Sequence, residues 1–203
     1  MINELTGLVV SYNTKELLQK AIESIRSFYP ELPILIVDSS TPLSECYEYT
    51  KELAMDDNIE RIYISGNIGH GKGMDTGLKI IKSKYVLLFD SDIEMKAPRL
   101  EAMLHVLGPD LYGVGQVITV DRNGNNSEVG LPYLHPHFCI INRNSYFDFA
   151  PFVHHGAPLI KTMIDIYTHG GAELRSFDVP KYVLHEGRGT RKLNPPEFLN
   201  NWQ

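Results

Sequence analysis

Tyr85-Val86-Leu87-Leu88-Phe89-Asp90-Ser91-Asp92 is the stretch from which the rest of the chain can be read. Five apolar residues in a row, with no polar alternation, describe a strand covered on both faces. The run is far too short to span a bilayer. It ends in two carboxylates one residue apart. In a bend at a strand end both can turn toward one volume, and hard divalent cations prefer such oxygen ligands. A turn with two solvated aspartates is the alternative, so the pair takes its meaning from its surroundings.

Upstream, the same pattern repeats. Leu8-Val9-Val10 runs into Ser11-Tyr12-Asn13, and Ile34-Leu35-Ile36-Val37 into Asp38-Ser39-Ser40. A third strand is expected over residues 61–65. Between them the spacing predicts helices. One starts at Asn13 with Glu16 in a capping-box arrangement, carries Leu17, Leu18, Ala21, Ile22, Ile25 and Phe28, and stops at Pro30. A second covers 43–55, and a Gly-rich third covers 69–82. Strands alternating with helices predict an α/β fold with a mostly parallel sheet. Ligands of such sheets bind beyond the carboxyl ends of the strands. Asn13, Asp38, Asn67, Asp90 and Asp92 stand at those ends.

Each of these has two readings. Asp38 either accepts hydrogen bonds from a nucleobase or ribose, or forms a turn before Pro42. Asn67-Ile68-Gly69-His70-Gly71-Lys72-Gly73 either lets backbone approach a phosphate at a helix start or is a capped loop. It is neither a dinucleotide fingerprint nor a Walker A loop. His185-Glu186-Gly187-Arg188-Gly189-Thr190 follows a strand expected at 181–184. Its imidazole suits a transition metal, and Arg188 suits a diphosphate, or the segment is a solvated basic loop.

The second half is less regular. A strand is expected over 114–120, a turn over 121–126, a short apolar run at Phe138–Ile141 and a helix over 157–168. His135 and His137 fall in a stretch, 121–137, that would shape a pocket or act as a lid.

The chain has 203 residues, of which 43% are hydrophobic and 22% charged, which excludes a disordered or low-complexity protein. Its formal net charge of −6 argues against general nucleic-acid binding. Cys46 and Cys139 form no CxxC pair and suit a reducing compartment. The first residues carry no basic, apolar leader pattern. The expectation is a single domain over 1–203: a ligand-binding half at 1–95, a second half at 96–192 and a tail at 193–203. A cytoplasmic location is expected, with peripheral contact to a membrane as an option.

Taken in order, these segments resemble the GT-A glycosyltransferases, specifically the inverting family 2 type. Leu8–Asn13 resembles the opening strand that meets the nucleotide, and Ile36-Val37-Asp38-Ser39-Ser40 the segment whose Asp holds the base. Asn67–Gly77 resembles the family's N-x-G segment, with Asp75 where the family usually has Asn. Leu87–Asp92 matches its DxD. More weakly, Cys139–Arg143 resembles the strand entering the acceptor region.

The resemblance implies a Rossmann-like nucleotide-binding sheet plus a short mixed acceptor-side region. It implies transfer from a nucleoside-diphosphate sugar, most often a UDP-sugar, to a sugar, lipid-linked or protein acceptor. It implies Mn²⁺ or Mg²⁺ held by Asp90, Asp92 and His185. Ser11, Tyr12, Asn13, Asp38, Asn67, Gly69, Lys72, Gly73, Asp90, Ser91 and Arg188 would bind the nucleotide sugar. The family's Glu-Asp pair, whose Asp is the base, is absent where counting back from Gly170 places it. Ala157, Pro158 and Leu159 stand there instead. His155, with His154 beside it, is the expected base; Asp148 and Asp165 are the other ionisable groups nearby. A degenerate domain that binds without turnover is the alternative. A sugar nucleotidyltransferase would show a Gly-rich basic loop at 11–16, which is missing. A haloacid-dehalogenase-like phosphatase would carry its DxD on the first strand.

Overall fold

The computed structural model describes residues 1–108, 111–153, 156–187 and 189–194. Strand β1 (Leu5–Ser11) leads to helix α1 (Lys15–Arg26), β2 (Ile34–Asp38), α2 (Glu45–Leu53), β3 (Ile59–Tyr63), α3 (His70–Ile80) and β4 (Tyr85–Phe89). The β2 and β4 runs are buried at every position. That is the covered, parallel type of strand their unbroken apolar sequence requires.

The second half adds β5 (Ile93–Met95), α4 (Leu100–Leu107), β6 (Gly113–Val120), β7 (Leu131–Asn142), the short α5 (Arg143–Tyr146), α6 (Ile160–His169), β8 (Leu174–Ser176), β9 (Val183–His185) and α7 (Gly189–Leu193). The main sheet runs β3-β2-β1-β4-β7-β6-β8, and β5 pairs with β9 apart from it. Strands β3, β2, β1 and β4 are parallel; β7 joins β4 antiparallel. The chain winds one way from β1 to β2 and β3, then crosses back to place β4 on the other side of β1. The carboxyl ends of β1 and β4 therefore flank the point where strand order reverses, the place where such sheets bind ligands.

Two apolar layers cover the sheet. Leu18, Ile22, Ile25, Met103, Leu104 and Leu107 pack on one face. Met74, Leu78, Leu159, Ile160 and Met163 pack on the other. Helix α4, not anticipated above, carries its signal plainly: Leu100, Met103, Leu104 and Leu107 are buried at helical spacing.

Several expectations change. The capping box at Asn13 does not form. Asn13 takes a left-handed backbone (φ 51°), and Thr14 is the N-cap without a side-chain bond. The Asn13 side chain is drawn away to Thr41 and Ser44. Two glycines of α3 serve packing. A Cβ at Gly73 would lie 2.7 Å from the Val10 side chain, and one at Gly77 2.3 Å from that of Leu8. They let the helix sit down on β1. The short run at Phe138–Ile141 is the end of a twelve-residue strand. Pro136 fits because the β6 register shifts between Gly115 and Val117, so no β6 partner is owed its missing N–H.

Candidate active site at the switch point

Asp90 and Asp92 leave β4 where the sequence places them. What completes the site is strand pairing. In the β5–β9 pair, Ile93 lies opposite His185, so the residue after Asp92 faces the histidine. The Glu186 amide donates to the Asp92 carbonyl, closing the same corner (3.1 Å). His185 Nε2 thus stands 3.2 Å from Asp92 Oδ1 and 3.5 Å from Asp90 Oδ2. One ligand atom from each of the three residues lies within 4.8 Å of the others. Asp92 Oδ2 faces the other way and accepts from the Gly189 amide (2.8 Å). Gly189 must be glycine here, since a Cβ would lie 2.8 Å from Asp92 Cβ.

Three further imidazoles surround this group. His70, the first residue of α3, follows Gly69 in its left-handed turn (φ 83°) and sits 3.2 Å from Asp90 Oδ1. His137 lies beside Asp90 in the sheet, its carbonyl accepting the Asp90 amide (2.9 Å). Its ring stacks on His185, with centroids 4.7 Å apart and planes 11° from parallel. His135, two residues earlier on the same face, meets His137 with their Nδ1 atoms 2.7 Å apart.

The charges follow from this packing. Burial alone would raise the Asp90 carboxyl, but the neighbouring His70 and His185 hold it well below its ordinary range. Burial pulls His185 down, yet the Asp90 and Asp92 carboxylates beside it push it up to about 9. His137 is lowered to about 3, by burial first and His135 second, so it is neutral. Burial likewise lowers His135.

The donor set fits a divalent cation. Among the described residues, the buried Asp90 Oδ1 and His185 Nε2 make no hydrogen bond. Each stands at ion-pair distance instead, Asp90 Oδ1 from His70 and His185 Nε2 from both aspartates, so donor atoms of opposite charge crowd one small volume. Two carboxylates and an imidazole are the ligand types of Mn²⁺ and related ions.

A cavity of about 130 Å³ opens beside the acids, lined by His70, Asp90, Tyr133 and His135 and roofed by Gly124 and 156–158. His135 and His137 were anticipated only as members of a pocket-forming stretch, and His70 only as part of a glycine-rich turn. The available signal was a histidine directly after the glycine that opens a helix.

The remaining expected residues are placed as follows. Ser11 is fully buried and touches Cys46 (3.3 Å), so its side chain supports the loop from within. Ser91 is buried against Thr14 (3.3 Å). Tyr12 is half-buried and Lys72 exposed. Asn13 joins the β1–α1 loop to the β2–α2 loop through Ser40, Thr41 and Ser44. Asn67 accepts the Gly69 amide (3.1 Å), shaping the turn that carries His70. Gly73 faces β1 and not the site.

Asp38 is fully buried. Its oxygens accept from the Ser40 amide (2.9 Å), the Thr50 hydroxyl (2.6 Å) and the Arg61 guanidinium (2.8 Å). Arg61 lies over the rings of Tyr47 and Tyr63. The carboxylate read as facing a nucleoside is thus turned into the protein. Arg188, His154 and His155 lie outside the described residues.

A parallel sheet that reverses at its acidic strand end, continued by an antiparallel β7–β6 extension, defines the GT-A class. The glycosyl transferase family 2 pattern matches residues 8–166, and the chain belongs to that family. A protein of Mycobacterium tuberculosis assigned to the glycosyltransferases is 31% identical over 86 residues, 42% of this chain and 25% of that one. Among solved structures, the mannosyltransferase PcManGT of Pyrobaculum calidifontis, in complex with GDP-Man and Mn²⁺, superposes with a TM-score of 0.67 at 19% identity. The match covers 87% of this chain and 55% of that one. TarS of S. aureus with UDP-GlcNAc gives 0.63 at 14% identity, over 88% and 57%. GalNAc-T7 with UDP, GalNAc and Mn²⁺ gives 0.68 at 12%, over 89% and 42%. These likenesses show the fold. The chain spans a quarter of the Mycobacterium relative and about half of each solved one.

Proposed function

We propose that this chain transfers a sugar from a nucleoside-diphosphate sugar to an acceptor hydroxyl, with inversion and with a divalent cation at Asp90, Asp92 and His185. The observation that carries the reading is the convergence of these three side chains at the switch point, one ligand atom of each within 4.8 Å of the others. When bound, Mn²⁺ or Mg²⁺ would supply charge stabilisation to the departing diphosphate.

The chain's own residues supply the rest. Asn13, Ser40 and Thr41 knit together two loops at the strand ends, a platform for the nucleoside. Asp38 stiffens that platform from beneath instead of reading the base. The cavity beside Asp90 would take the sugar. His155, with His154, would remove the acceptor proton, as the sequence suggests. The other candidates are poorly disposed. The Asp165 carboxylate is spent on the Ala150 amide and His169, and Asp148 is exposed. A UDP-sugar donor and a cytoplasmic location, with any lipid-linked acceptor met at the membrane surface, complete the reading. Among the described residues no helix is long and apolar enough to cross a membrane.

A second reading, binding without turnover, is favoured by one observation. Leu159, where the family's acidic pair is expected, is fully buried in the core.

Thermal unfolding with a panel of nucleoside diphosphates, with and without Mn²⁺, tests the site. One nucleotide should stabilise the wild type only when Mn²⁺ is present. Asp92→Asn should lose that shift. A shift indifferent to Mn²⁺ or to the substitution overturns the centre. Sugar release from the matching donor then separates the two readings. Its absence, despite binding, favours the second, and its loss in His155→Ala supports the assigned base.

A further inference from the structure

His135 and His137 take no part in the chemistry proposed above, yet the bonds between them fix where their protons lie. The His137 backbone amide stands 3.3 Å from His135 Nδ1, and the two Nδ1 atoms are 2.7 Å apart. His137 has no β6 partner in the strand register, so its amide is available to a side chain. A backbone N–H can only donate. His135 Nδ1 is therefore an acceptor, and it accepts from the His137 ring nitrogen as well. Burial lowers His135, which keeps its ring neutral at neutral pH. A neutral imidazole carries one N–H, so that of His135 is on Nε2.

That donor has a place to act. Among the described residues no protein group bonds His135 Nε2. The residue is half-buried, and it lines the cavity beside Asp90. Ile118, Pro136 and the ring of Tyr133, whose hydroxyl bonds the Leu159 backbone, give that cavity apolar walls. A donor of fixed direction set among apolar walls suits an oxygen that accepts from it. Left unpaired in such a place, it costs free energy.

We propose that His135 is a specificity-determining residue whose Nε2–H donates to an oxygen of the transferred sugar. His137 is the positioning residue that keeps the proton on that nitrogen. The inference rests on the transferase reading and on the cavity as the place of the sugar, and it deepens both. It also excludes another role. With Nδ1 occupied and Nε2 protonated, His135 is no base for the acceptor hydroxyl. A sugar that lacks the facing oxygen leaves the donor unpaired, and discrimination between sugars arises there.

Long-range ¹H–¹⁵N correlation on the ¹⁵N-labelled chain near neutral pH reports which nitrogen of His135 carries the proton, with His135→Gln assigning the signal. The proton is expected on Nε2, with no ligand or cation added. A proton on Nδ1, or an even mixture, overturns the inference, and this wild-type result stands whether or not any variant folds. Titration calorimetry with Mn²⁺ then compares nucleoside diphosphates with their glucose, galactose, mannose and N-acetylhexosamine forms. His135→Phe should weaken the preferred sugar form about tenfold and leave the bare diphosphate within about twofold. His135→Gln keeps an N–H and should recover part of that loss. Equal weakening of both ligands marks a merely structural residue and overturns the inference. If the sugar form binds the variant as well as the wild type, only this inference fails. If the wild type binds no nucleotide with Mn²⁺, the transferase reading fails and this role with it.

Discussion

Asp38 shows at the scale of one residue how a side chain's role depends on where it points. Its carboxylate is sealed under Thr50 and Arg61, and Arg61 is in turn only 11% exposed. Charges so deeply placed survive only as a pair, and removing one leaves the other uncompensated. Arg61→Leu should therefore destabilise the fold by about 3–5 kcal/mol, measured by urea unfolding. Adding Asp38→Asn should recover much of that loss. If Asp38 instead faced a nucleoside, Arg61→Leu would weaken nucleotide binding with little cost in stability. Position 38 was legible in the sequence as a strand-end acid. Its inward turn was not, because Arg61 lies 23 residues away on a neighbouring strand.

At the scale of elements, α3 and β7 hold the site between them. Helix α3 can bring His70 to Asp90 only because it lies close on β1. That closeness depends on Gly73 and Gly77, each lacking the Cβ that would strike Val10 or Leu8. Gly77→Ala should cost about 1–3 kcal/mol through overpacking, read from chemical denaturation. A substitution that is neutral or stabilising there would sink the close-packing account. The Gly-rich pattern was visible in the sequence, but its use was not. Glycines that serve a ligand and glycines that serve helix–sheet packing look alike until the facing strand is known. Strand β7 carries His135 and His137 in its own irregular stretch, where residues 135–138 stand against Gln116 alone of β6. Two prolines concealed the strand's length from any local reading.

For the whole molecule, the histidine cluster writes itself into the pH dependence of stability. The folded state refuses a proton at His137 until about pH 3, whereas the unfolded chain accepts one near the ordinary value of 6.5. The unfolded state thus binds more protons in between. Stability is intact above pH 6.5 and declines as the pH falls toward 3, by a few kcal/mol at about 1.4 kcal/mol per unit. His185 acts the other way. Raised to about 9, it favours the cation-free fold below pH 6.5 and loses that contribution as the pH rises through 9. Cation-free protein should be most stable near pH 6–7. His137→Phe should flatten the acid limb and leave the alkaline limb in place, measured by unfolding across pH 4–9. An unchanged acid limb would show that His137 does not carry it.

The sequence by itself determined the fold class, the strand ends at which a site would lie and the acidic pair there. These are local properties: apolar runs of four or five residues bounded by turn residues read as buried strands, and the residues that follow such a run stand at its end. Family membership was legible for the same reason. The tertiary structure alone decided which side chains meet. His70, His137 and His185 come from a helix start, an antiparallel strand and a short strand pair, 115 residues apart at the extremes. The β4–β7 and β5–β9 registers bring His137 and His185 to Asp90 while α3 brings His70, and a slip of one residue would turn each strand-borne side chain to the opposite face.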